Sequence, residues 1–333
     1  MQTKAKKSVY ILSSVILAII VFLGSLFFSG QGFTYGGGGE VSAGGSSGGG
    51  GEVNGGGETA GSGGEKFLFT VLTDTSQLLY LRQGSKGDYV GYGEDGFLGD
   101  TKYYLENPTD VNPLYYLGLS AENSGMPAHE AEIELLEITN DLLPYAATKK
   151  SGNAGAVNEK LYTVTYHPYN YMQNGLDALL PMSQHAAYTK QEKTYYKFVQ
   201  DTYLTIPASL KKLLLNLASQ NDIDEASETV ITDVVTYIQN AASYDKDYIT
   251  QSYPDSKDIV TCFLTEYKKG VCRHYAAAAT MMFRALGIPA RYAYGFAVYV
   301  QANEKLKYAG DGHAWTEIYL QGYGWIPLEV TGS

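Results

Sequence analysis

Cysteine and basic residues are both scarce in this chain of 333 residues, and each shortage limits what the protein can be. Only two cysteines occur, Cys262 and Cys272, so at most one disulfide is possible within the chain. The five histidines and two cysteines show no C-x-x-C or H-x-x-x-H spacing, and the sequence has no acidic loop of the EF-hand type. We therefore expect no metal ion, no calcium requirement and no other cofactor.

Positive charge is low throughout, with 24 lysines and arginines against 35 aspartates and glutamates and a net charge of −11. Phosphate binding requires clustered basic side chains, so nucleic acid is not expected as a partner. Hydrophobic residues make up 44% of the sequence, which is enough for one large or two ordinary globular units once the N-terminus is set aside.

An apolar run near the N-terminus predicts a membrane anchor. Residues 9–28 carry no charge, and a helix of about 20 residues covers roughly the 30 Å of a bilayer's hydrocarbon core. A cleaved signal peptide is the alternative, although its apolar part usually has only about 7–15 residues. Lysines within residues 1–8 place that end in the cytoplasm and the rest of the chain outside the plasma membrane. Residues 29–65, rich in glycine and serine, predict a flexible linker.

Residues 66–188 alternate short apolar or aromatic runs with turn-forming clusters, a pattern typical of a β-sandwich domain. Strands are predicted at residues 67–72, 77–82, 88–92, 132–138 and 160–166.

Helical periodicity replaces this pattern from residue 189, so residues 189–333 are expected to form a second domain and the whole chain an α+β protein. Apolar stripes or helix start and stop signals predict helices within residues 189–203, 210–217, 227–242, 257–269 (ending at Gly270) and 272–286. Three strands follow, at residues 290–299, 313–320 and 324–331.

Cys272 is a candidate nucleophile because it lies at the start of the predicted helix 272–286, where the positive end of the helix dipole stabilises a thiolate. The alternative is a small buried side chain with no chemical role. A disulfide to Cys262 would consume the nucleophile, so we expect two free thiols, with Cys262 buried.

His313 and Glu329 lie on the strands that follow and are expected to face the start of this helix. His313 would act as general base and later as general acid, and Glu329 would orient and stabilise its imidazole. His274 is a rival base, but it lies two residues along the same helix and points away from the face of Cys272.

Four motifs in this order resemble the transglutaminase-like core domain, and the match covers roughly residues 190–333. The motifs are GVCRHYA (270–276), FRALGIPAR (283–291) leading to GF (295–296), HAWTEI (313–318) and GWIPLEVT (324–331). The resemblance implies a papain-like α+β fold with helices on an antiparallel sheet, and a triad of Cys272, His313 and Glu329. Glutamate stands here where the family more commonly has aspartate. Surface proteins of this type usually continue further, so a truncation after Ser333 stays open.

The oxyanion hole departs from the animal members of the family, which use the cysteine backbone N–H and a tryptophan upstream of it. Both tryptophans of this chain, Trp315 and Trp325, lie downstream. Tyr244 and Tyr253 are the candidates instead, because a phenol can donate a hydrogen bond as an indole does. Tyr244 more closely resembles the aromatic position of bacterial members.

These features predict a membrane-anchored extracellular enzyme that acts on a protein or peptide amide. The Cys272 thiolate would attack the amide carbonyl and release an amine, and an amine or water would then resolve the thioester. The sequence does not choose between the two acceptors, because that choice depends on how the site excludes water. A cysteine protease or amidase acting on surface proteins and a non-catalytic surface binding module are the alternatives.

Overall fold

The computed structural model describes residues 66–105, 110–152, 160–182, 186–246 and 257–332, with the backbone alone for residues 186–189. The segments predicted as cytoplasmic N-terminus, transmembrane helix and linker lie outside the described residues, as do Tyr253 and Ser333. Within the part of the chain that the structure describes, no helix is long and apolar enough to cross a membrane.

Two five-stranded antiparallel sheets form the framework of the fold. The strands are β1 (Phe69–Thr73), β2 (Gln77–Lys86), β3 (His129–Leu135), β4 (Leu143–Pro144), β5 (Ala147–Ser151), β6 (Leu161–Tyr166), β7 (Ser243–Tyr244), β8 (Lys269–Gly270), β9 (Ala290–Val300), β10 (Leu306–Tyr308), β11 (His313–Leu320) and β12 (Gly324–Leu328). The first sheet has the order β10-β1-β3-β6-β5, and the second has the order β12-β11-β9-β2-β4. β7 and β8 form a short parallel pair of their own.

Helices cover the second sheet. They are α1 (Tyr116–Asn123), α2 (Tyr171–Asn174), α3 (Ala186–Tyr203), α4 (Ala208–Gln220), α5 (Val230–Ala241), α6 (Ile259–Thr261), which continues as a π-helical segment (Cys262–Tyr267), and α7 (Cys272–Ala285). Four consecutive alanines at residues 276–279 are fully buried in α7, because β11, α4 and α5 all pack against this helix. Their small side chains let these neighbours approach closely, which makes α7 the centre of the helical core.

Both sheets take strands from either side of the domain boundary predicted at residues 188/189. β2 pairs with β9 along almost its whole length, and β10 pairs with β1. The facing sides of the two sheets share one apolar cluster that includes Leu81, Ile133 and Phe296. A self-contained β-sandwich of residues 66–188 is therefore not confirmed, although the mixed helix-and-sheet architecture is as predicted.

The strand predicted at residues 88–92 is wrong. Gly91 and Gly96 both adopt a φ of +81°, in the left-handed region that favours glycine and interrupts an extended strand. The segment turns back on itself instead, with one isolated bridge between Tyr89 and Phe97.

The helix predicted at residues 257–269 also differs from the observed one, which ends earlier, at Tyr267. Lys268 adopts the left-handed conformation that stops it, at φ +49°. Gly270 belongs to β8, and a Cβ atom there would lie 2.9 Å from His274 and Phe263. This glycine therefore permits a close approach of the backbone to α7 and is not the helix stop that the sequence indicated.

Candidate active site

Cys272 is the first residue of α7, and its side chain is partly accessible. Val271 before it is extended, and the backbone N–H of Val271 donates to Nδ1 of His274 at 3.0 Å. The N–H of His274 in turn donates to the carbonyl of Val271 at 2.8 Å. These bonds fix the start of the helix one residue before the thiol. Both cysteines are free and Cys262 is buried, as predicted.

His313 and Glu329 meet at the end of the second sheet that lies next to Cys272. His313 begins β11 and pairs with Gly295 of β9, while Glu329 directly follows β12. Nε2 of His313 lies 2.7 Å from Oε2 of Glu329. The side chain of Cys272 also acts on His313 and, like Glu329, raises the pKa of its imidazole. The three residues selected from the sequence thus lie together, with His313 interacting with both Cys272 and Glu329.

The charges and hydrogen bonds around His313 favour a protonated, charged imidazole. Burial alone would lower the pKa of His313, but the Glu329 carboxylate and hydrogen bonds with Cys272 and Glu329 raise it to about 10. Burial would likewise raise the pKa of Glu329, but the positive charge of His313 and three hydrogen bonds lower it to about 2. The two side chains are therefore an imidazolium and a carboxylate at neutral pH.

Glu329 has partners on both carboxylate oxygens. The hydroxyl of Tyr80 donates to Oε2 at 2.6 Å, and the backbone N–H of Thr331 donates to Oε1 at 2.7 Å. Sequence reasoning missed Tyr80, which precedes Glu329 by 249 positions and lies in β2. No local signal marks it, because its place depends on the pairing of β2 with β9.

Tyr244 lies beside Cys272 because β7 pairs with β8, which ends two residues before Cys272. Tyr244 is opposite Gly270, and the N–H of Asp245 donates to the Gly270 carbonyl at 2.9 Å. The backbone N–H of Cys272 lies near enough to the phenol to act on its pKa, which it lowers. Burial, followed by the negative charges of Cys272, Asp311 and Glu329, raises the pKa of Tyr244, so the hydroxyl keeps its proton.

His274, the rival base, has a structural position. It is buried, its Nδ1 accepts the Val271 N–H, and its ring stacks on Phe263 at 6.0 Å between centroids. Burial and the neighbouring charge of Arg273 lower the pKa of His274 to about 3, so it is neutral at physiological pH. The structure thus brings His313 and not His274 to the thiol as the protonatable group.

A buried polar layer lies on the same face of the sheet as His313. Glu317 is fully buried and accepts from Arg82 at 2.8 Å, from Arg291 at 2.5 Å and from the hydroxyl of Tyr145. Nε1 of Trp315 donates to that same hydroxyl at 2.7 Å. This hydrogen bond holds the Trp315 ring next to the imidazole of His313, at 6.0 Å between ring centroids.

Metal ligation is not evident in the residues described. Across these ranges, no group of three or more His, Cys, Asp or Glu side chains is arranged to hold a metal ion.

A cysteine at a helix start, in contact with a histidine and a carboxylate on neighbouring strands, is the arrangement expected of the family that the motifs resemble. The model of the transglutaminase-like superfamily matches residues 218–330. Residues 218–330 belong to the transglutaminase-like superfamily.

Similar proteins are found in bacteria, and this chain aligns with only part of each of two curated relatives. It is 29% identical to the uncharacterized protein YebA of Bacillus subtilis over 216 residues, which is 62% of this chain but 27% of YebA. It is 36% identical to a protein-glutamine gamma-glutamyltransferase of Pseudomonas aeruginosa over 77 residues, 22% of this chain and 12% of that protein.

A solved structure has a similar fold. The periplasmic domain of TgpA from Pseudomonas aeruginosa superposes with a TM-score of 0.53 at 15% identity, covering 80% of this chain and 90% of that domain. The coverage extends well beyond residues 218–330, so the likeness of fold includes much of the preceding region.

Proposed function

We propose that this protein is a cysteine acyltransferase in which Cys272, His313 and Glu329 act as nucleophile, acid–base catalyst and orienting carboxylate. The observation that carries the proposal is the position of His313, whose Nε2 lies 2.7 Å from Oε2 of Glu329 and whose pKa is raised by Cys272 as well as by Glu329. A charged imidazole next to the sulfur favours the thiolate, which is the nucleophilic form of cysteine.

In the first half-reaction, the Cys272 sulfur attacks the carbonyl carbon of an amide. The carbonyl π electrons move to oxygen, and the resulting oxyanion collapses as the C–N bond breaks. His313 gives its proton to the departing nitrogen, which leaves as ammonia or an amine, and a thioester remains on Cys272. In the second half, an acceptor amine or water attacks the thioester, His313 takes the acceptor's proton, and the thiolate leaves.

The oxyanion has two donors in this proposal, the backbone N–H of Cys272 and the hydroxyl of Tyr244. The support is that the phenol lies at that N–H and keeps its proton. Two donors at the point where negative charge develops are typical of acyl-transfer sites.

The acceptor and substrate are proposed from the relatives. The Pseudomonas aeruginosa relative is named as a protein-glutamine gamma-glutamyltransferase, so we propose that a glutamine side chain supplies the amide and a primary amine accepts the acyl group. Water as acceptor would give deamidation, and attack on a backbone amide would give peptide cleavage.

The test incubates the full chain with a glutamine-containing peptide and a fluorescent primary amine, and analyses the products by mass spectrometry. Amine incorporation with release of ammonia supports transfer, a glutamate product indicates hydrolysis, and shorter fragments indicate a peptidase. Cys272→Ser and His313→Ala are expected to abolish all three products. Turnover that persists in Cys272→Ser would rule the mechanism out.

Iodoacetamide labelling tests the activated thiol without any substrate. We expect rapid alkylation of Cys272 at neutral pH and slow alkylation of buried Cys262, which serves as an internal reference. The Cys272 rate should fall in His313→Ala. Slow and equal labelling of Cys272 in the wild type and the variant would favour a non-catalytic binding module.

We further propose that residues 9–28 anchor the chain in the plasma membrane with the catalytic residues outside. The support is the uncharged apolar run and the lysines that precede it. The expected result is a full chain that stays with membranes after an alkaline wash and is degraded by protease added to intact cells. Release by the wash or complete protection from protease would contradict it.

A further inference from the structure

We propose that Tyr80, contributed by the N-terminal strand β2, is a positioning residue that holds the Glu329 carboxylate for His313. The inference rests on the proposed function, because it concerns the same triad. It places a necessary part of the catalytic centre outside residues 218–330, the segment that the family model matches.

The hydrogen-bond geometry carries the argument. Oε2 of Glu329 receives both the Tyr80 hydroxyl at 2.6 Å and Nε2 of His313 at 2.7 Å. The Tyr80 phenol and the His313 imidazole are therefore hydrogen-bonded to the same carboxylate oxygen of Glu329. The second oxygen is fixed by the N–H of Thr331 at 2.7 Å, so the carboxylate cannot turn without losing a donor. Removal of the Tyr80 hydroxyl would leave His313 as the only one of these two partners on Oε2, so the carboxylate that orients His313 would be held less firmly.

The surroundings of Tyr80 hold its hydroxyl at this point. Tyr80 pairs with Ala297 across the β2–β9 ladder, two residues along β9 from Gly295, the partner of His313. Its ring meets Trp315 edge to face at 5.2 Å between centroids. Trp315 is itself fixed by its hydrogen bond to Tyr145. A rigid sheet and a buried aromatic ring thus determine where the phenol points.

Tyr80→Phe separates positioning from packing, because phenylalanine keeps the ring against Trp315 and removes only the hydroxyl. A hydrogen bond to a charged group is typically strong enough to change a rate constant about 10- to 100-fold. We expect kcat for amine incorporation by the full chain to fall by about this factor, with KM little changed, since Tyr80 does not touch the substrate in this proposal. The control is Tyr299→Phe, a largely exposed tyrosine on β9, which should retain wild-type kinetics.

The pH profile gives a readout that a purely structural role would not change. The Tyr80 hydrogen bond lowers the pKa of Glu329, so its loss should raise that pKa and make activity fall at a higher pH on the acid side. In a double-mutant cycle, Tyr80→Phe should cost little once Glu329 is replaced by glutamine. An equal loss in both backgrounds, or an unchanged acid limb in Tyr80→Phe, would overturn the proposal.

Iodoacetamide labelling separates a failure of this inference from a failure of the proposed function. If wild-type Cys272 is not activated, the proposed function fails and the inference fails with it. If Cys272 is activated and depends on His313, but Tyr80→Phe matches Tyr299→Phe in labelling and turnover, only the inference is wrong.

Discussion

At the scale of single residues, Glu329 stands where the family more commonly has aspartate, and hydrogen bonds hold both of its carboxylate oxygens. Glu329 extends from the chain after β12 and uses both oxygens, one toward His313 and Tyr80 and the other toward Thr331. Its backbone carbonyl also accepts from Nε2 of Gln239 at 3.2 Å. The longer side chain is therefore held at its base and at its tip, which compensates for the freedom that the extra methylene adds.

Glu329→Gln tests the charge of this carboxylate. The pKa of His313 is raised from 6.5 to about 10 in part by Glu329, so the variant should bring it back toward 6.5. In the wild type, the raised pKa keeps His313 protonated until the pH approaches 10. In the variant, His313 loses its proton at a lower pH, so the steps that need a protonated His313 should also fail at a lower pH. We expect the alkaline limb of the pH–rate profile to shift downward, and kcat at neutral pH to fall at least about 100-fold. An unchanged alkaline limb would contradict the role of Glu329.

Tyr244→Phe tests the oxyanion donor. Loss of one such donor typically lowers kcat about 100- to 1,000-fold. The variant keeps the ring, which stacks on Tyr275 at 6.5 Å, and removes only the hydroxyl. We expect slow turnover with undiminished iodoacetamide labelling of Cys272, because alkylation develops no carbonyl oxyanion. Tyr92→Phe, at an exposed position, is the control, and wild-type turnover in Tyr244→Phe would assign the phenol to packing alone.

At the scale of elements, local signals determined what the sequence could predict. The alanine-rich helix ending before Gly287 and the strand at residues 313–320 appear where they were expected, because periodicity and stop signals are contained within each segment. Cys272 and His313 begin these two elements, so they could be selected from the sequence. Tyr80 and the residues of β10 could not, because their places depend on pairing between strands more than 200 positions apart.

The start of α7 gives a prediction about stability and pH. His274 is buried, and its pKa is lowered from 6.5 to about 3. Between these values the unfolded chain binds a proton that the folded chain does not, so stability falls as the pH drops below about 6.5. The loss should reach roughly 1–2 kcal/mol by pH 5.

His274→Asn removes the titrating group and keeps an acceptor near the position of Nδ1 for the Val271 N–H. We expect its free energy of unfolding, measured with urea, to depend less on pH between 6.5 and 5 than that of the wild type. Parallel curves for His274→Asn and the wild type would show that His274 is not the source of the acid sensitivity.

At the scale of the whole molecule, pairing between early and late strands ties the region that holds Cys272, His313 and Glu329 to the residues before it. β2 supplies Tyr80 and Arg82 to the site, and β10 closes the first sheet. The strand just beyond β10 begins with His313, so the loop between them connects the two sheets at the site itself. The region before residue 189 is therefore built into the sheet that carries His313.

This arrangement predicts that the described part of the chain unfolds as one cooperative unit. Ile133 is fully buried between the two sheets, whereas Cys262 is fully buried in the helical core around α7. Ile133→Ala should cost about 2–5 kcal/mol of stability. Because β9 contributes buried residues to both cores, Ala290 and Tyr292 to one and Phe296 to the other, that loss should also make Cys262 easier to expose.

The measurement uses a Cys272→Ser background, in which Cys262 is the only thiol, and follows its labelling in moderate urea. Ile133→Ala should speed labelling by the factor that matches its loss of stability measured by circular dichroism. Leu214→Ala, inside the helical core, should speed it in either case and shows that the assay responds. If Ile133→Ala lowers the unfolding midpoint yet leaves Cys262 labelling unchanged, the two cores open independently, because a shared sheet would have transmitted the loss.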